Sequence, residues 1–536
     1  MRFRKGIDEE RRHLIDPRTG NDSNSALIAI IFLLAIRLVL SPFALLIPEE
    51  AYYWMYSQFP SIGYLDHPPM VAWSIGAGTA LFGDVEFGVR LCNWLFTVGS
   101  TFLCFRLGAD WYGRRAGATA ALLFNITPLF CGTGFVVTPD ATLLFFWLLT
   151  LVAVTRAYRT GKVRWWLLAG LGTGLGFLSK YPALFLAAST FVFLLLDSRG
   201  RRMLTGPGPW LALILAVIAA SPVIVWNYQN DWASFQFQST RRLHEQGGIK
   251  LGKTLEWIGV QFLLLTPLIF ALFTAAWYIA LRRFRRRNAW RWRLAACFAI
   301  PWLAVCLWHG LHVTVNINWP LPAYLSLLPV AVPLLRSPFG LHRTLAWMRN
   351  PAHIRRYART LVAVNAAVLL FMTFRIPGVP RPNIFASWDR LGEAVEVIED
   401  TMLEESGAEP LIIPDGKYKL ASELAFYMRD WPESEDWKYI VPASTALGGG
   451  LSYANWHKFD DMTGRNALFI STKIQHHVLE VLGSAFVRID EPEQFYTEPL
   501  GFGFLRHYWV VRCWDYRGLD PEVLEKLRTS HAFEND

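Results

Sequence analysis

The chain has 536 residues, of which 53% are hydrophobic and only 18% are charged, and its net charge is +9. A soluble globular protein carries charge on about a quarter of its residues, so this composition argues against a soluble protein. The apolar residues form long blocks separated by short basic runs, which is typical of a chain that crosses a membrane several times. Because the basic residues are confined to those short runs, the positive charge does not indicate nucleic-acid binding, and we expect none.

The N-terminal arm and the cysteines indicate no further chemistry. Residues 1–25 are polar and basic-rich, and we expect no cleavable signal peptide before the first apolar run. The six cysteines show no CxxC spacing, and all but Cys513 lie in apolar runs. We interpret them as small core residues, and we expect neither a disulfide framework nor a cysteine metal site.

The apolar runs predict a polytopic, mostly α-helical membrane domain over residues 26–376. A helix of about 20 apolar residues is long enough to cross a bilayer. About eleven spans are predicted, at residues 26–47, 87–108, 116–136, 140–158, 165–179, 181–196, 210–227, 255–281, 294–311, 320–335 and 359–375. The stretch 70–82, within a first outer loop of about residues 48–86, is apolar but short, so we expect it to lie along the membrane surface.

The loops between these runs alternate in charge. The arginine-rich loops, which the positive-inside rule places in the cytoplasm with the N-terminal arm, are 114–115, 156–164, 199–202, 282–293 and 336–359. The opposite face then receives loops 49–69, 138–140, 179–182, 227–250 and 312–319. We therefore expect the acids of these distant loops to share the outer face of the membrane.

From about residue 377 to residue 536, the composition becomes that of a soluble domain. Short β-like runs alternate with helical patterns there, which predicts a small α/β domain on the outer side. The β-like runs are 411–413, 439–441, 467–470 and 508–512, and the helical patterns are 420–428 and 475–482. The glycine run 448–450 lacks the spacing of a nucleotide-binding fingerprint and indicates a loop.

Two adjacent carboxylates, Glu49 and Glu50, follow the first apolar run and precede the aromatic residues Tyr52, Tyr53 and Trp54. Charges at the mouth of a membrane helix are costly, so this pair is a functional-site hypothesis. The alternative is an aromatic belt at the membrane surface with solvated carboxylates. We favour the functional interpretation because two acids touch the helix end.

Asp66 and His67 form a second candidate, since the rigid Pro68-Pro69 that follows them would direct both side chains back toward the membrane. The alternative is an ordinary surface turn.

Asp140 is a third candidate, although helix capping by itself would explain an acid at that position.

Lys180 is a fourth candidate because it lies between two predicted spans on the side that the positive-inside rule disfavours. Snorkelling of its long side chain to the membrane surface is the alternative explanation. A cation at this position would also suit a lipid phosphate.

Acids beside cations indicate transfer from a phosphate-activated lipid. A carboxylate can act as general base on an acceptor hydroxyl. The phosphate leaving group needs charge stabilisation, which Lys180, Arg241, Arg242 or a divalent ion could supply.

The metal, if one is used, is left open by these residues. Carboxylate ligands favour Mg²⁺ or Mn²⁺, whereas the addition of His67 or His244 would favour Zn²⁺. The candidate ligands are Asp66, Asp140 and His244.

Motifs spread over most of the chain carry a family resemblance. They are Glu49-Glu50-Ala51-Tyr52-Tyr53-Trp54, Asp66-His67-Pro68-Pro69, Leu81-Phe82-Gly83 with Glu86-Phe87-Gly88-Val89-Arg90-Leu91, Thr138-Pro139-Asp140, Leu178-Ser179-Lys180-Tyr181-Pro182, Asn318-Trp319-Pro320 and the segment 417–427. Together they resemble the GT-C polyprenyl-phosphate-sugar glycosyltransferases. The greatest similarity is to the bacterial branch related to protein O-mannosyltransferases and the lipid A aminoarabinose transferase.

The resemblance implies an inverting transfer of a sugar from a polyprenyl monophosphate on the periplasmic face of the bacterial inner membrane. It implies that Glu49 is the base near the acceptor hydroxyl and that Asp140 is the second catalytic acid. The residues expected to contact the substrate or its phosphate are Glu50, Tyr53, His67, Lys180, Tyr181, Arg241, Arg242 and Asn318. The expected partners are the lipid-linked sugar, membrane lipids, and an acceptor such as lipid A or lipopolysaccharide.

Two positions depart from the family pattern. The family usually has Asp where this chain has Glu49, so the carboxylate here is displaced by one methylene. His67 stands where the aminoarabinose branch has lysine, which argues against the same donor sugar.

A protein O-glycosyltransferase remains an alternative, as does a transporter of lipid-linked sugars. A transporter would be expected to contain repeated halves with broken helices at mid-membrane, and no such repeat is apparent.

Overall fold

The computed structural model describes most of the chain between residues 20 and 518. The described residues are 20–241, 248–286, 289–335, 350–375, 379, 383–385, 387–428, 440–447, 451–456, 462–501 and 504–518. The predicted glycine loop 448–450 lies outside them, as do Arg242 and His244. Within the described ranges a helical part precedes a C-terminal sheet region, which confirms the predicted mostly α fold with an α/β region at its C-terminal end.

The helical part is built from helices of very different lengths. In chain order they are α1 (Gly20–Leu40), α2 (Pro48–Gln58), α3 (Met70–Phe82), α4 (Glu86–Tyr112), α5 (Arg114–Ile126), α6 (Pro128–Thr133), α7 (Pro139–Thr160), α8 (Val163–Ser179), α9 (Leu184–Leu196), α10 (Ser198–Leu204), α11 (Gly208–Gln229), α12 (Ala233–Gln236), α13 (Leu251–Leu265), α14 (Pro267–Arg283), α15 (Trp290–Gly310), α16 (Leu321–Ala331) and α17 (Pro351–Thr373). A π-helical turn follows α12 at Phe237–Arg241.

Helices α7, α11 and α15 are long and apolar enough to cross a membrane. Two bent pairs also qualify if each pair crosses as one span: α13 with α14, bent by 110°, and the segment Tyr181–Leu196 with α10, bent by 114°. The described part of the chain therefore contains three to five candidate spans by length and composition. The chain is a multi-pass membrane protein, and the predicted number of about eleven spans is not confirmed.

Three predicted spans are interrupted or shortened. The first run, 26–47, stops being helical at Leu40, and the runs 116–136 and 255–281 are each divided between two helices. Each change falls beside a proline, at Ser41-Pro42, Thr127-Pro128 and Thr266-Pro267. Because the ring of a proline disfavours helical backbone in the residue before it, these helices end there. One consequence is that Glu49 lies in a separate short helix and not at the end of the first span.

Small residues let helices α8 and α11 approach closely. A Cβ atom added at Gly170 would lie 2.2 Å from the carbonyl oxygen of Ala212, and one added at Gly174 would lie 2.6 Å from that of Ala216. Glycine is therefore required at both positions, as is common where membrane helices pack backbone to backbone.

Loops that the charge pattern assigns to one face contact one another. On the face predicted to be outer, Asn318 reaches Asp140, and Gln238 donates a hydrogen bond to the backbone carbonyl of Asp66. On the basic side, Arg293 Nη1 lies 2.6 Å from Asp197 Oδ2. The grouping of the loops is therefore consistent with the prediction, whereas the orientation of the two groups in a membrane stays a prediction.

The C-terminal region combines helices with a five-stranded mixed sheet. Its elements are α18 (Trp388–Ser406), β1 (Leu411–Pro414), α19 (Lys419–Tyr427), α20 (Tyr453–Trp456), β2 (Ala467–Ser471), α21 (His476–Ala485), β3 (Phe486–Ile489), β4 (Glu493–Gly501) and β5 (Phe504–Tyr516). Strand β1 runs parallel to β2, and β5 pairs antiparallel with β2 on one side and with β3 and β4 on the other. The predicted run 439–441 contributes only an isolated bridge from Ile440 to Ile412 among its described residues.

The C-terminal region packs directly on the helical part through α19 and α2. Leu424 and Ala425 of α19 belong to the same buried cluster as Tyr52 and Trp54 of α2. The ring of Phe426 also meets that of Trp54 edge-on, with 5.0 Å between the ring centroids. Helix α2, which carries both candidate carboxylates, is therefore held between the two parts of the chain.

Candidate active site

Glu50 is completely buried and its carboxylate is fully hydrogen-bonded. Arg90 of α4 donates to both oxygens, with Nε 2.9 Å from Oε1 and Nη2 2.6 Å from Oε2. The backbone amides of Val137 and Ile47 complete the set at 2.9 and 3.1 Å. The first turn of a helix also suits an acid, because the backbone amides there are free to donate.

Arg90 connects this carboxylate to the turn that precedes α2. Its guanidinium donates to the carbonyl oxygens of Ser41 and Leu45 at 2.9 Å, and also to that of Ala44. The Glu50–Arg90 pair thus fixes α2 against α4 and, through Val137, against the segment that leads to Asp140. These contacts give Glu50 a structural position, although the sequence pattern placed it among the substrate-binding residues.

Glu49 differs from its neighbour in every respect. It is half-buried, and its carboxylate makes no hydrogen bond or ion pair with any residue that the structure describes. Successive residues of a helix point about 100° apart, so the same turn directs Glu50 inward and leaves Glu49 available.

Asp140 lies in the first turn of α7 and is almost completely buried. Its two oxygens lie 2.9 and 3.0 Å from Lys180 Nζ, and Asn318 donates to Oδ2 at 2.6 Å. Thr138 adds a hydrogen bond to Oδ2 at 3.3 Å. Three predicted residues from distant loops therefore meet in one polar cluster, with an ammonium group held against a carboxylate.

Asp66 forms a second polar cluster with aromatic hydroxyls. Its Oδ1 accepts hydrogen bonds from Tyr52 at 3.2 Å, from Ser452 of the C-terminal region at 3.2 Å, and from Tyr56. Burial raises the pKa of Asp66, while these hydrogen bonds oppose the rise because they favour the charged form.

Tyr53 lies between the two clusters. Burial raises the pKa of its hydroxyl, and the negative charges of Asp66 and Asp140 raise it further. The ring of His67 packs edge-on against that of Tyr53, with 5.6 Å between the centroids. The hydroxyl of Tyr181 contacts neither cluster directly; it lies 2.5 Å from Ser234 Oγ.

Two of the candidate metal ligands, Asp66 and Asp140, lie in separate polar clusters and are engaged with other groups. Within the described ranges, no three His, Cys, Asp or Glu side chains are arranged to hold an ion. Both oxygens of Asp140 face Lys180, whose positive charge would oppose a cation, and Oδ1 of Asp66 is occupied by three hydroxyl donors. His244 and Arg242 lie outside the described residues, and Arg241 ends the π-helical turn, so the roles expected of these three residues stay predictions.

Several residues of the site were not predicted from the sequence. Arg90 lies in one of the motifs, and its charge within an apolar helix is the signal that could have identified it. Ser452 and Tyr427 belong to the C-terminal region, and Tyr427 accepts a hydrogen bond from the amide of Leu46 at 2.6 Å. Nothing in their local sequence indicates a contact with a segment almost 400 residues away.

Known proteins resemble this chain over long stretches. A family described as Dolichyl-phosphate-mannose-protein mannosyltransferase matches residues 66–226. The lipid A galacturonosyltransferase RgtD of Rhizobium johnstonii is 28% identical over 387 residues, which are 71% of this chain and 77% of that protein. An undecaprenyl phosphate-alpha-4-amino-4-deoxy-L-arabinose arabinosyl transferase of Pseudomonas aeruginosa is 31% identical over 215 residues, 37% of this chain and 39% of that protein.

Solved structures resemble its fold. ArnT from Cupriavidus metallidurans bound to undecaprenyl phosphate aligns with a TM-score of 0.60 and 15% identity, covering 91% of this chain and 98% of that chain. The oligosaccharyltransferase of Archaeoglobus fulgidus in the apo form aligns with a TM-score of 0.51 and 13% identity, covering 85% of this chain and 70% of that chain. At these identities the alignments concern the fold alone. Together with the sequence matches, they confirm the resemblance to the GT-C glycosyltransferases, and the chain is a glycosyltransferase.

Proposed function

We propose that the protein is an integral-membrane inverting glycosyltransferase. It moves a sugar from a polyprenyl-phosphate donor to an envelope acceptor such as lipid A or the lipopolysaccharide core. The observation that carries this proposal is the buried ion pair of Asp140 with Lys180, in a chain that also leaves one half-buried carboxylate, Glu49, without a partner among the described residues. The carboxylate of Glu49 suits proton removal, and the ammonium group of Lys180 suits a phosphate. Transfer from a lipid phosphate requires both.

Glu49 acts as the general base. It accepts the proton of the acceptor hydroxyl while that oxygen attacks the anomeric carbon of the donor sugar. The bond from the anomeric carbon to the phosphate oxygen breaks, and the electron pair leaves with the polyprenyl phosphate. Attack opposite to the leaving group inverts the configuration at the anomeric carbon.

Lys180 stabilises the negative charge that develops on the phosphate. Its ammonium group is held by Asp140, and Asn318 in turn holds Asp140 through a 2.6 Å hydrogen bond. A cation fixed before the reaction needs no reorganisation when the charge appears, which is the general advantage of such a site. Asp140 therefore serves to position Lys180, and no step of this mechanism passes through a metal ion.

The location and the finer architecture belong to the same proposal. We place the active site and the region 377–536 on the periplasmic side of the inner membrane, with the basic loops and residues 1–25 in the cytoplasm. About eleven spans within residues 26–376 would put the two ends of the chain on opposite sides. The names of the relatives, one of which acts on lipid A, support an envelope lipid as acceptor.

Mass spectrometry of envelope lipids tests this function. Cells that lack the gene should lose one sugar mass from lipid A or the core, and the wild-type gene should restore it. Glu49→Gln should not restore it, whereas Glu256→Gln, at an exposed glutamate of α13, should. Restoration by Glu49→Gln at normal protein levels would remove Glu49 as the base.

A protein O-mannosyltransferase is the second candidate, because the family matched by residues 66–226 is described as a protein mannosyltransferase. The same cells distinguish the two. A sugar mass lost from periplasmic glycopeptides, with unchanged lipid A and core, would favour the protein acceptor. A transporter of lipid-linked sugars would give a different result in a reconstituted membrane. With donor and acceptor both supplied on the active-site face, it would transfer no sugar to either kind of acceptor.

A further inference from the structure

Helix α19 of the C-terminal region carries a buried carboxyl group that the proposed mechanism does not use. Glu423 is completely buried, and neither of its oxygens has a hydrogen-bond partner in the described part of the chain. It lies within the segment 417–427, which resembles a motif of the GT-C glycosyltransferases. A buried and unpartnered polar group is expensive, so its presence calls for a reason.

The surroundings of Glu423 disfavour a negative charge. The charged groups that act on it most strongly are Glu50 and Glu49 of α2 and Arg90 and Glu86 of α4. Three of these four are acids, and the single cation, Arg90, is already paired with Glu50. Burial, reinforced by Glu50 and Glu49, raises the pKa of Glu423 well above its ordinary value of 4.5.

Among the described residues, Arg90 is the one cation in the group of charges that act most strongly on Glu423, although Lys419 lies one turn earlier on α19. On its own helix, the nearest titratable group that senses Glu423 is Tyr427, whose pKa is raised by burial, by Glu86 and by Glu423. Helix α18 contributes its apolar face, with Leu391 and Val395 in the same buried cluster as α19. Strand β1 is apolar and fully buried, and Tyr453 of α20 lies with its hydroxyl 3.0 Å from Ser422 Oγ, beside Glu423 in the chain.

We propose that Glu423 is a positioning residue of the transferase, held as an uncharged carboxylic acid so that α19 can pack against the first turn of α2 and fix Glu49. This inference rests on the proposed function for the role of Glu49. Loss of the Glu423 proton would place a further negative charge beside Glu49 and Glu50. The contact between α19 and α2 would then weaken, and the base would lose its fixed position.

Stability as a function of pH tests whether Glu423 is uncharged. The folded state binds a proton at Glu423 that the unfolded chain releases above about pH 4.5, so wild-type stability should fall as the pH rises from there toward the higher folded-state pKa. Glu423→Gln keeps the shape but cannot ionise. The melting temperature of this variant should equal that of the wild type near pH 4 and exceed it increasingly toward neutral pH. Glu480→Gln, at an exposed glutamate of α21, should show no such trend.

Sugar transfer as a function of pH tests the positioning role. Glu423→Gln should keep kcat within about threefold of wild type at neutral pH, and its activity should extend to higher pH because this group no longer ionises. Two results would overturn the inference: a melting-temperature difference that does not depend on pH, or pH profiles of kcat that superimpose. Absence of transfer by the wild type itself would count against the proposed function instead, and the melting temperatures would still decide the charge of Glu423.

Discussion

The contact between Glu50 and Arg90 should be the most costly one in the site to break, and Glu50→Gln is the sharpest way to break it. The substitution keeps the shape of the side chain and removes one acceptor oxygen. Oε1 accepts from Arg90 and Val137, and Oε2 accepts from Arg90 and Ile47. Whichever way the new amide is turned, its NH₂ group faces two buried N–H donors.

The expected loss follows from those two donors. A buried donor left without a partner costs about 1–3 kcal/mol, so two cost roughly 2–6 kcal/mol. Removal of one member of a buried ion pair generally costs about 3–5 kcal/mol, which agrees. Since a folded protein is stable by only about 5–15 kcal/mol, Glu50→Gln should remove a large part of the free energy of unfolding.

Equilibrium unfolding in mixed micelles, followed by tryptophan fluorescence, measures this loss. Glu256→Gln is the matched control, because Glu256 is exposed and its pair with Lys253 should contribute less than about 1 kcal/mol. A Glu50→Gln protein as stable as the control would refute the reasoning, since it would mean that the buried donors find other partners. Transfer activity should fall as well, because Val137 and the segment leading to Asp140 lose an anchor.

Two further substitutions test other contacts of the site. Lys180→Met should lower kcat of sugar transfer by about 100-fold or more, because no cation would then be held by Asp140 for the leaving phosphate, whereas the exposed control Lys253→Met should be fully active. Tyr427→Phe leaves the buried amide of Leu46 without its acceptor, so the free energy of unfolding should fall by about 1–3 kcal/mol. An unchanged unfolding curve would show that this hydroxyl does not hold the turn before α2.

The long membrane-spanning helices were predictable from hydropathy alone, without any periodic pattern of apolar residues. The predicted runs 140–158, 210–227 and 294–311 correspond to α7, α11 and α15 within a few residues. In such helices nearly every residue is apolar, so hydropathy alone defines them.

The interruptions show where hydropathy fails. Proline at Pro42, Pro128 and Pro267 coincides with a helix end, and Thr266 has a positive φ of 67°. Yet α15 continues through Pro301 without a break. A proline in an apolar run therefore does not by itself predict a helix end. Neighbouring helices decide whether the carbonyl group that loses its hydrogen bond is tolerated.

The site was predictable as a set of residue types and less so as a set of contacts. The assignment of loops to one face anticipated that Asp140, Lys180 and Asn318 would be close, and they are in contact. The pairing of Glu50 with Arg90 was missed because a forty-residue separation leaves no local pattern. Glu423 was missed for a stronger reason: a glutamate in a segment of ordinary polar composition gives no sign of complete burial.

These contacts also bear on how a glutamate at position 49 can hold its carboxylate in place, where the family resemblance implies an aspartate. A longer side chain has more rotamers, so it holds a carboxylate in one place only if its backbone is fixed firmly. Helix α2 is fixed from one side by the Glu50–Arg90 pair and from the other by α19, including the hydrogen bond between Tyr427 and Leu46. The rigidity that a shorter acid would supply by itself is here supplied by the packing of α2, and for that reason we propose that the C-terminal region helps to form the active site.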